Sequence, residues 1–287
     1  SRPGLREQPA SRCCCQASVF GSCRWRAPLL DNRMFPVGYW AVAVPVLVVA
    51  SPNGALKAIV FGYACHATTL SINQWSGDYP GFTQIALEEK HPDAVAMFFQ
   101  GCGADQNPLP RRTVELCRGY GRQLADAVEA VLAGRLQPLP PRLQTAFEFV
   151  ELPYGEHPTE EGLKTLAEKN NYQGRWAQRI LNTLYQGVRL PASYAEFPVQ
   201  VWRLGDGQLW ISLGGEAVGD CALALKQAYG ASTWVNGYTN DVMSYIPSSR
   251  LLKEGGYEAG GALPVGCRRI LGARTSKPAS RRRWSDW

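Results

Sequence analysis

The chain has 287 residues, and its 45% apolar content is typical of a globular protein that buries a sizeable core. Its formal net charge is +6, which on its own would suit a nucleic-acid-binding protein. However, the excess of positive charge lies near the two ends, over 2–33 and 268–283, whereas the middle of the chain is close to neutral, and no folded basic face or aromatic platform accompanies the basic residues. The charge pattern therefore argues against a nucleic-acid partner.

Three zones follow one another along the chain. Residues 1–36 mix Pro, Arg, Ser and Cys without a hydrophobic period, and we predict that they are a disordered or non-native leader. Residues 37–262 alternate between strand and helix patterns, which predicts a single large α/β domain with a mixed β-sheet flanked by helices. Residues 263–287 again lack a period and are predicted to be a disordered basic tail.

Within 37–262 the elements are predicted from apolar spacing and turn residues. In chain order they are strands over Val42–Val49 and Leu56–Tyr63, a helix over Tyr79–Lys90, a short buried strand over Val95–Phe99, a helix over Arg112–Ala133, a strand over Leu143–Val150, two helices within Thr159–Tyr185 that break near Gly174, strands over Phe197–Arg203 and Gln208–Leu213, a helix over Ala217–Tyr229 and a strand over Ser232–Gly237. The turns SPNG and GDG predict hairpins. Asp78 is predicted to cap the first helix with its side chain.

Cysteine spacing and hydropathy exclude several classes of protein. The nine cysteines include no CxxC pair, so a zinc ribbon and a thioredoxin motif are both excluded. A disulfide framework is not expected in a chain of this length. No apolar run approaches the roughly 20 residues of a transmembrane segment, and the first residues lack the layout of a secretory signal peptide.

The residues with the clearest chemical character lie between Phe61 and Pro108. The segment FGYACHATTL places His66 just after an apolar strand, and FFQGCGADQNP places Asp105 and Asn107 in a glycine-rich loop after the next strand. Polar side chains at strand ends, beside loops whose backbone can approach a ligand, are how α/β enzymes assemble their sites. This stretch therefore predicts an active or binding site.

Three possible metal ligands stand at the ends of predicted strands: His66, Glu216 and Tyr245. Zinc sites gather nitrogen and oxygen donors from separate elements in this way. Each residue also has a structural interpretation, as a hydrogen-bonded histidine, a carboxylate at a helix start and a packed tyrosine. The residues alone leave both interpretations open.

Five motifs that follow one another along the chain favour the metal-ligand interpretation, because together they resemble those of a known family. They are CHATT, SGDYPGF, QGCGADQNP, LGGEAVGD and GYTNDVMSYIPS with the following EGGYEAGG. Over roughly Leu56–Ala262 the chain resembles the N-terminal catalytic domain of the neutral/alkaline, non-lysosomal ceramidase family in its bacterial form. The resemblance implies a zinc-dependent amidohydrolase of the N-acylsphingosine type, acting in sphingolipid and lipid metabolism on a small amphiphilic substrate, and a secreted or periplasmic location.

The resemblance also implies roles for individual residues. His66, Glu216 and Tyr245 match zinc ligands, and Tyr257 matches a tyrosine that contacts the substrate and would stabilise oxyanion charge. Asp105 would orient or deprotonate the attacking water. Asn107 stands where the family has a serine, so hydrolysis would proceed by direct attack of water without a covalent intermediate. Packing of Tyr257 and binding of loop amides by Asp105 are the structural alternatives.

The resemblance stops short of the family's remaining histidine ligand, which belongs to an upstream HxH motif. The two other histidines, His91 at a helix end and His157 in a polar loop, do not match it. We therefore expect the chain to be truncated at both ends. Two alternatives to ceramidase activity remain: a zinc hydrolase of another amide or ester, and an inactive truncated relative that acts as a binding or structural module.

Overall fold

The computed structural model describes residues 17–24, 43–155 and 157–261. Over these residues it contains three β-sheets flanked by helices, so the predicted α/β class with mixed sheets is confirmed. In chain order the elements are β1 (Ala17–Arg24), β2 (Ala43–Ala50), β3 (Leu56–Tyr63), α1 (Asp78–Lys90), β4 (Val95–Gln100), α2 (Val114–Leu132), β5 (Gln137–Pro138), β6 (Leu143–Pro153), α3 (Glu160–Ala167), α4 (Tyr172–Tyr185), β7 (Ser193–Leu204), β8 (Gln208–Leu213), β9 (Glu216–Ala217), α5 (Gly219–Tyr229), β10 (Trp234–Asn236), β11 (Tyr245–Ile246), α6 (Ser249–Glu254) and a π-helical turn (Tyr257–Gly261).

The first sheet has the strand order β4-β3-β2-β1-β5. The β2–β3 hairpin forms around the predicted turn, where Gly54 has a positive φ of 85°, and β3 pairs in parallel with β4. Alternate residues Val44, Val46 and Val48 of β2 are fully buried, and they belong to the core that this sheet shares with α1 and α2. Burial of this alternating apolar face supplies the main driving force for the sheet.

Strand β1 differs from what the sequence predicted. Ala17–Arg24 pairs with β2, with a register shift between Ala17 and Val19, although it lies within the segment 1–36 that we expected to be a disordered or non-native leader. Pairing with a neighbouring strand is a nonlocal effect that the hydrophobic period of the segment does not reveal. The remaining residues of the leader and the basic tail 263–287 lie outside the described residues, and their boundaries stay predictions.

The second sheet has the order β10-β8-β7-β6, and a third consists of β9 and β11 alone. The β7–β8 hairpin crosses the predicted GDG turn, where Gly205 adopts a φ of 58°. A bridge between Gly101 and Asn236 joins the end of β4 to the end of β10. This bridge brings the loops that follow the two larger sheets to a common edge.

Several predicted element boundaries need correction. Strand β4 is not fully buried, because it forms an edge of the sheet and its residues Val95 and Met97 are exposed. The break between α3 and α4 falls before Tyr172, where Asn171 caps α4 by accepting a hydrogen bond from the backbone of Gly174. Helix α5 begins at Gly219, because the two residues before Val218 pair with β11 instead.

The predicted cap of α1 also has a different role. The Asp78 side chain accepts one hydrogen bond inside the helix, from the Tyr79 backbone at 2.8 Å. Its other partners are the backbone amides of Thr69 and Leu70, at 3.2 and 2.8 Å, in the loop that follows β3. Asp78 therefore ties this loop to the start of α1.

No helix among residues 43–155 and 157–261, or over 17–24, combines the length and apolarity needed to cross a membrane.

Candidate active site

The imidazole of His66 is oriented by the loop that follows β4. The backbone amide of His66 donates to the Gln106 carbonyl at 3.0 Å, and its ring Nε2 lies 2.8 Å from the Ala104 carbonyl oxygen. Because a carbonyl only accepts hydrogen bonds, Nε2 must carry the proton, so in the neutral ring Nδ1 presents a lone pair. A carbonyl partner on one ring nitrogen is the usual way in which a metal-binding histidine is oriented.

Glycines allow the close approach of this loop to His66. The Gly101 amide donates to the Tyr63 carbonyl at 2.9 Å, which continues the pairing of β3 with β4. A Cβ at Gly103 would lie 2.4 Å from the backbone carbon of Ala64 and 2.5 Å from the nitrogen of Cys65. Such distances require one backbone segment to move, so only glycine fits at this position.

We expect Gly103→Ala to destabilise the protein by about 2 kcal/mol, because the added methyl group overpacks two backbone segments that hold His66. Urea denaturation followed by far-UV circular dichroism measures this change. The matched control is Gly119→Ala in α2, where an added Cβ would meet no atom within 4 Å and should stabilise the helix slightly. Equal stabilities of the two variants would contradict the close-packing argument.

Glu216 and Tyr245 reach the same place from two short strands. They are register partners in the parallel pair β9–β11, and the Glu216 amide donates to the Ser244 carbonyl at 2.8 Å. The Glu216 Oε2 lies 4.0 Å from His66 Nε2. Burial raises the pKa of Tyr245, and the neighbouring Glu216 carboxylate raises it further. The three residues predicted to bind zinc therefore lie together, although they are far apart in the sequence.

The sequence did not single out Tyr238, which lies between two of these residues. Its hydroxyl is 3.3 Å from His66 Nδ1 and 3.3 Å from Glu216 Oε2, and its ring stands edge-on to the imidazole. Burial raises the pKa of Tyr238, with a further contribution from the Glu216 charge. The only signal in the sequence was the place of Tyr238 in the GYTND segment. Its backbone has a positive φ of 59°, which is uncommon for a tyrosine and which the sequence gives no means of predicting.

Tyr257 and Glu258 border the group from the π-helical turn. The Tyr257 ring lies edge-on to that of Tyr245, with 5.6 Å between the centroids, and about half of its surface is exposed. Glu258 is partly buried, and burial raises the pKa of its carboxyl, with smaller upward contributions from Asp105 and Glu216. Tyr257 thus combines contact with a candidate ligand and access to a molecule arriving from solvent.

Asp105 lies where the loop after β4 meets the start of α5. Its Oδ1 accepts a hydrogen bond from the Gly219 backbone at 2.9 Å, which is favourable beside the positive end of a helix dipole. Burial nevertheless raises the pKa of Asp105 above its ordinary value. Asp105 therefore does bind a backbone amide, as its structural interpretation predicted. Because that bond uses Oδ1, Oδ2 can serve another partner.

Asn107 is directed toward the polar end of the same loop. Its Oδ1 accepts from Thr68 Oγ1 and from an Arg111 nitrogen, both at 3.1 Å. The two remaining histidines have partners elsewhere: His91 Nε2 lies 2.8 Å from Glu129 Oε1, and His157 Nε2 lies 3.0 Å from the Pro191 carbonyl. Both histidines therefore contact residues outside the candidate site.

The candidate donor set is of mixed chemistry. Within the described parts of the chain, no group of three or more His, Cys, Asp or Glu side chains is arranged to hold a metal ion. The set at this site is instead one imidazole, one carboxylate and one phenol. A nitrogen with a fixed tautomer and two oxygen donors fit the preferences of Zn²⁺, provided that the phenol acts as the third ligand.

Comparison with known proteins supports the fold. No family model and no curated protein sequence matches the chain. Solved structures do match, among them neutral ceramidase from Pseudomonas aeruginosa, at a TM-score of 0.58 and 18% identity, and a ceramidase complexed with C2, at 0.58 and 17%. Each of these two matches covers 85% of this chain but only 48% and 50% of the other. The chain therefore shares the fold of bacterial neutral ceramidase over about half the length of those proteins, as the motifs predicted.

Proposed function

We propose that this chain is a ceramidase-like hydrolase that cleaves a linear amide bond in a small amphiphilic substrate of the N-acylsphingosine type. The observation that carries the proposal is the convergence of His66, Glu216 and Tyr245 from a loop and two separate strands: Glu216 Oε2 lies 4.0 Å from His66 Nε2, and Glu216 is the register partner of Tyr245 in the pair β9–β11. The shared fold of the ceramidases supports it at the level of architecture.

In this proposal His66 Nδ1, the Glu216 carboxylate and the Tyr245 hydroxyl would hold Zn²⁺. A zinc ion in such a place would polarise a substrate carbonyl and make water more acidic. Ala104 fixes the tautomer of His66 through its carbonyl. Tyr238 donates its hydroxyl hydrogen to Glu216, and its ring packs edge-on against the imidazole of His66. These contacts fix the direction in which each donor points before any substrate arrives.

The remaining residues have complementary parts in the reaction. Asp105 accepts the proton of the attacking water and returns it to the leaving amine nitrogen as the C–N bond breaks, and its raised pKa makes it a stronger base than an exposed aspartate. Tyr257, exposed and next to Tyr245, donates a hydrogen bond to the carbonyl oxygen as negative charge develops on it. Asn107 offers no nucleophilic oxygen, so water attacks directly and no acyl-enzyme forms.

The test combines zinc content with hydrolysis. We expect purified chain to retain about one zinc ion per molecule by elemental analysis, and the zinc-replete chain to hydrolyse at least one member of a panel of acyl amides and esters that includes ceramide. Because Asn107 replaces a serine, turnover of ceramide itself is expected to be slow. Zinc retention with turnover of another ester or amide would favour the related-hydrolase alternative. Absence of both zinc and turnover would favour the non-catalytic module.

We expect Asp105→Asn to suppress hydrolysis while making the fold more stable at neutral pH. Burial raises the pKa of Asp105 in the folded state. Asp105 therefore contributes stability that is fully present below its pKa in the unfolded state and is lost as pH rises through its pKa in the folded state. The variant has no such loss, and its Oδ1 can still accept from Gly219. The stability difference in favour of the variant should therefore grow between pH 4 and pH 7 in urea denaturation.

The control for this measurement is Asp126→Asn, an exposed carboxyl on α2, which should show no such growth with pH. If Asp105→Asn instead lowers the free energy of unfolding at neutral pH, and partial unfolding accounts for its lost activity, Asp105 is a structural residue of the loop and not a base.

We expect Tyr238→Phe to weaken zinc binding about tenfold, because residues that orient metal ligands typically contribute one to two orders of magnitude to affinity. Competition with a chromogenic chelator measures the dissociation constant. Tyr172→Phe, at an exposed position on α4, is the matched control and should bind zinc normally. Unchanged affinity in Tyr238→Phe would show that its hydroxyl has no part in orienting the ligands.

A further inference from the structure

A recess lies between the ends of β3 and β4 on one side and α5 on the other. Its volume is about 90 Å³, and the residues that line it do not include His66, Glu216 or Tyr245. Its lining includes two small residues at the end of β3 and just after it, Gly62 and Ala64. A space of this size holds roughly three water molecules, since each occupies about 30 Å³ in the liquid. A molecule of three to five non-hydrogen atoms therefore fits it.

Two kinds of surface meet in this recess. The aromatic rings of Phe99 and Trp234 stack at 5.8 Å between centroids and form an apolar wall. Lys226, on α5, is the cationic residue among those that line the recess. Small-molecule sites characteristically combine an apolar wall with a single polar group that fixes orientation.

Lys226 has no counter-charge in the described parts of the chain. Among those residues no hydrogen bond or ion pair engages its amine, and burial lowers the pKa of Lys226. Its neighbour Cys102 does not supply the missing charge, because burial raises the pKa of that thiol well above its ordinary value and keeps it neutral. Partial burial of an unpaired ammonium is unfavourable, and an anion entering the recess would relieve it.

We propose that this recess binds a small monocarboxylate, with its carboxylate on the Lys226 amine and its short alkyl chain against Phe99 and Trp234. A single ammonium balances one negative charge, so the site favours a monoanion over a phosphate dianion. The apolar wall favours an acid with an alkyl group over a wholly polar anion. This site is independent of the proposed hydrolysis.

Propionate is the probe, and saturation-transfer difference NMR on the full chain measures its binding. We expect saturable binding of propionate, and binding at least about tenfold weaker for propionamide, which has the same shape but no charge. Lys226→Met, which keeps most of the aliphatic stem, should weaken propionate binding by at least about tenfold. Lys253→Met, an exposed lysine on α6, should bind propionate as the parent chain does.

A second variant tests the recess without removing the charge. Ala222→Leu fills part of the space that Ala222 lines and should abolish binding while leaving Lys226 in place. Thermal unfolding of each variant checks that the fold is retained. Equal binding of propionate and propionamide, equal binding by Lys226→Met and the parent chain, or no saturation with propionate would each overturn the proposal.

Discussion

Replacing Glu216 by Gln is expected to lower zinc affinity and the rate of hydrolysis by roughly a hundredfold or more. Glu216 is the one carboxylate in the candidate ligand set, and an amide oxygen carries no charge to attract the cation. Residues that only orient a metal ligand already contribute ten- to a hundredfold, so loss of a ligand should exceed that. Chelator competition gives the affinity, and turnover of the best substrate in the acyl panel gives the rate.

Glu216→Gln also makes a clean structural test, because the substitution changes few atoms. The backbone of Glu216 remains paired with β11, and Tyr238 can donate to the Gln amide oxygen as it does to the carboxylate. Glu148→Gln, at an exposed position on β6, is the control and should leave zinc binding unchanged. If Glu216→Gln binds zinc as tightly as the parent chain, the assignment of the ligands is wrong.

The sequence predicted the local parts of the fold well. Both hairpins were found because their turns, at 51–54 and 205–207, are set by a few adjacent residues. The sequence did not predict that the strands divide into three sheets, since the bridge between Gly101 and Asn236 and the pairing of Glu216 with Tyr245 join residues distant in the chain. Such pairings depend on packing, which local propensity does not encode.

The candidate site shows the same division. The residues His66, Glu216 and Tyr245 could be chosen because ordered motifs contain them, and the structure brings them together. Tyr238 could not, because its position depends on the positive φ of its own backbone and on a hydrogen bond to the Gly215 carbonyl. Asp78 was predicted as a helix cap, which accounts for only one of its three backbone partners.

Loss of the Asp78 side chain is expected to destabilise the fold strongly. Its carboxylate is almost fully buried and accepts from the backbone amides of Thr69, Leu70 and Tyr79. Hydrogen bonds to a charged group contribute about 1.5 to 3 kcal/mol each, and an unsatisfied buried donor carries a further penalty. Its backbone also has a positive φ of 51°, which Asp and Asn tolerate better than Ala does.

We therefore expect Asp78→Ala to lower the free energy of unfolding by about 3 to 5 kcal/mol and Asp78→Asn by about 1.5 to 3 kcal/mol. The Asn variant keeps the backbone preference and one acceptor, and Oδ1 serves both Thr69 and Tyr79. It places an amide group against the Leu70 N–H, which has then lost its acceptor. Urea denaturation at pH 7 measures both values.

The loop that Asp78 holds begins just after His66, so its release should also disturb the candidate site. We expect Asp78→Asn to weaken zinc binding even in the absence of urea, where the variant is fully folded. Asp93→Asn, an exposed aspartate between α1 and β4, is the control for both measurements and should change neither by more than about 0.5 kcal/mol. A stable Asp78→Ala variant would show that the loop is held by its packing. A destabilised variant with normal zinc affinity would show that the orientation of His66 depends on the loop after β4 alone, through the Gln106 and Ala104 carbonyls.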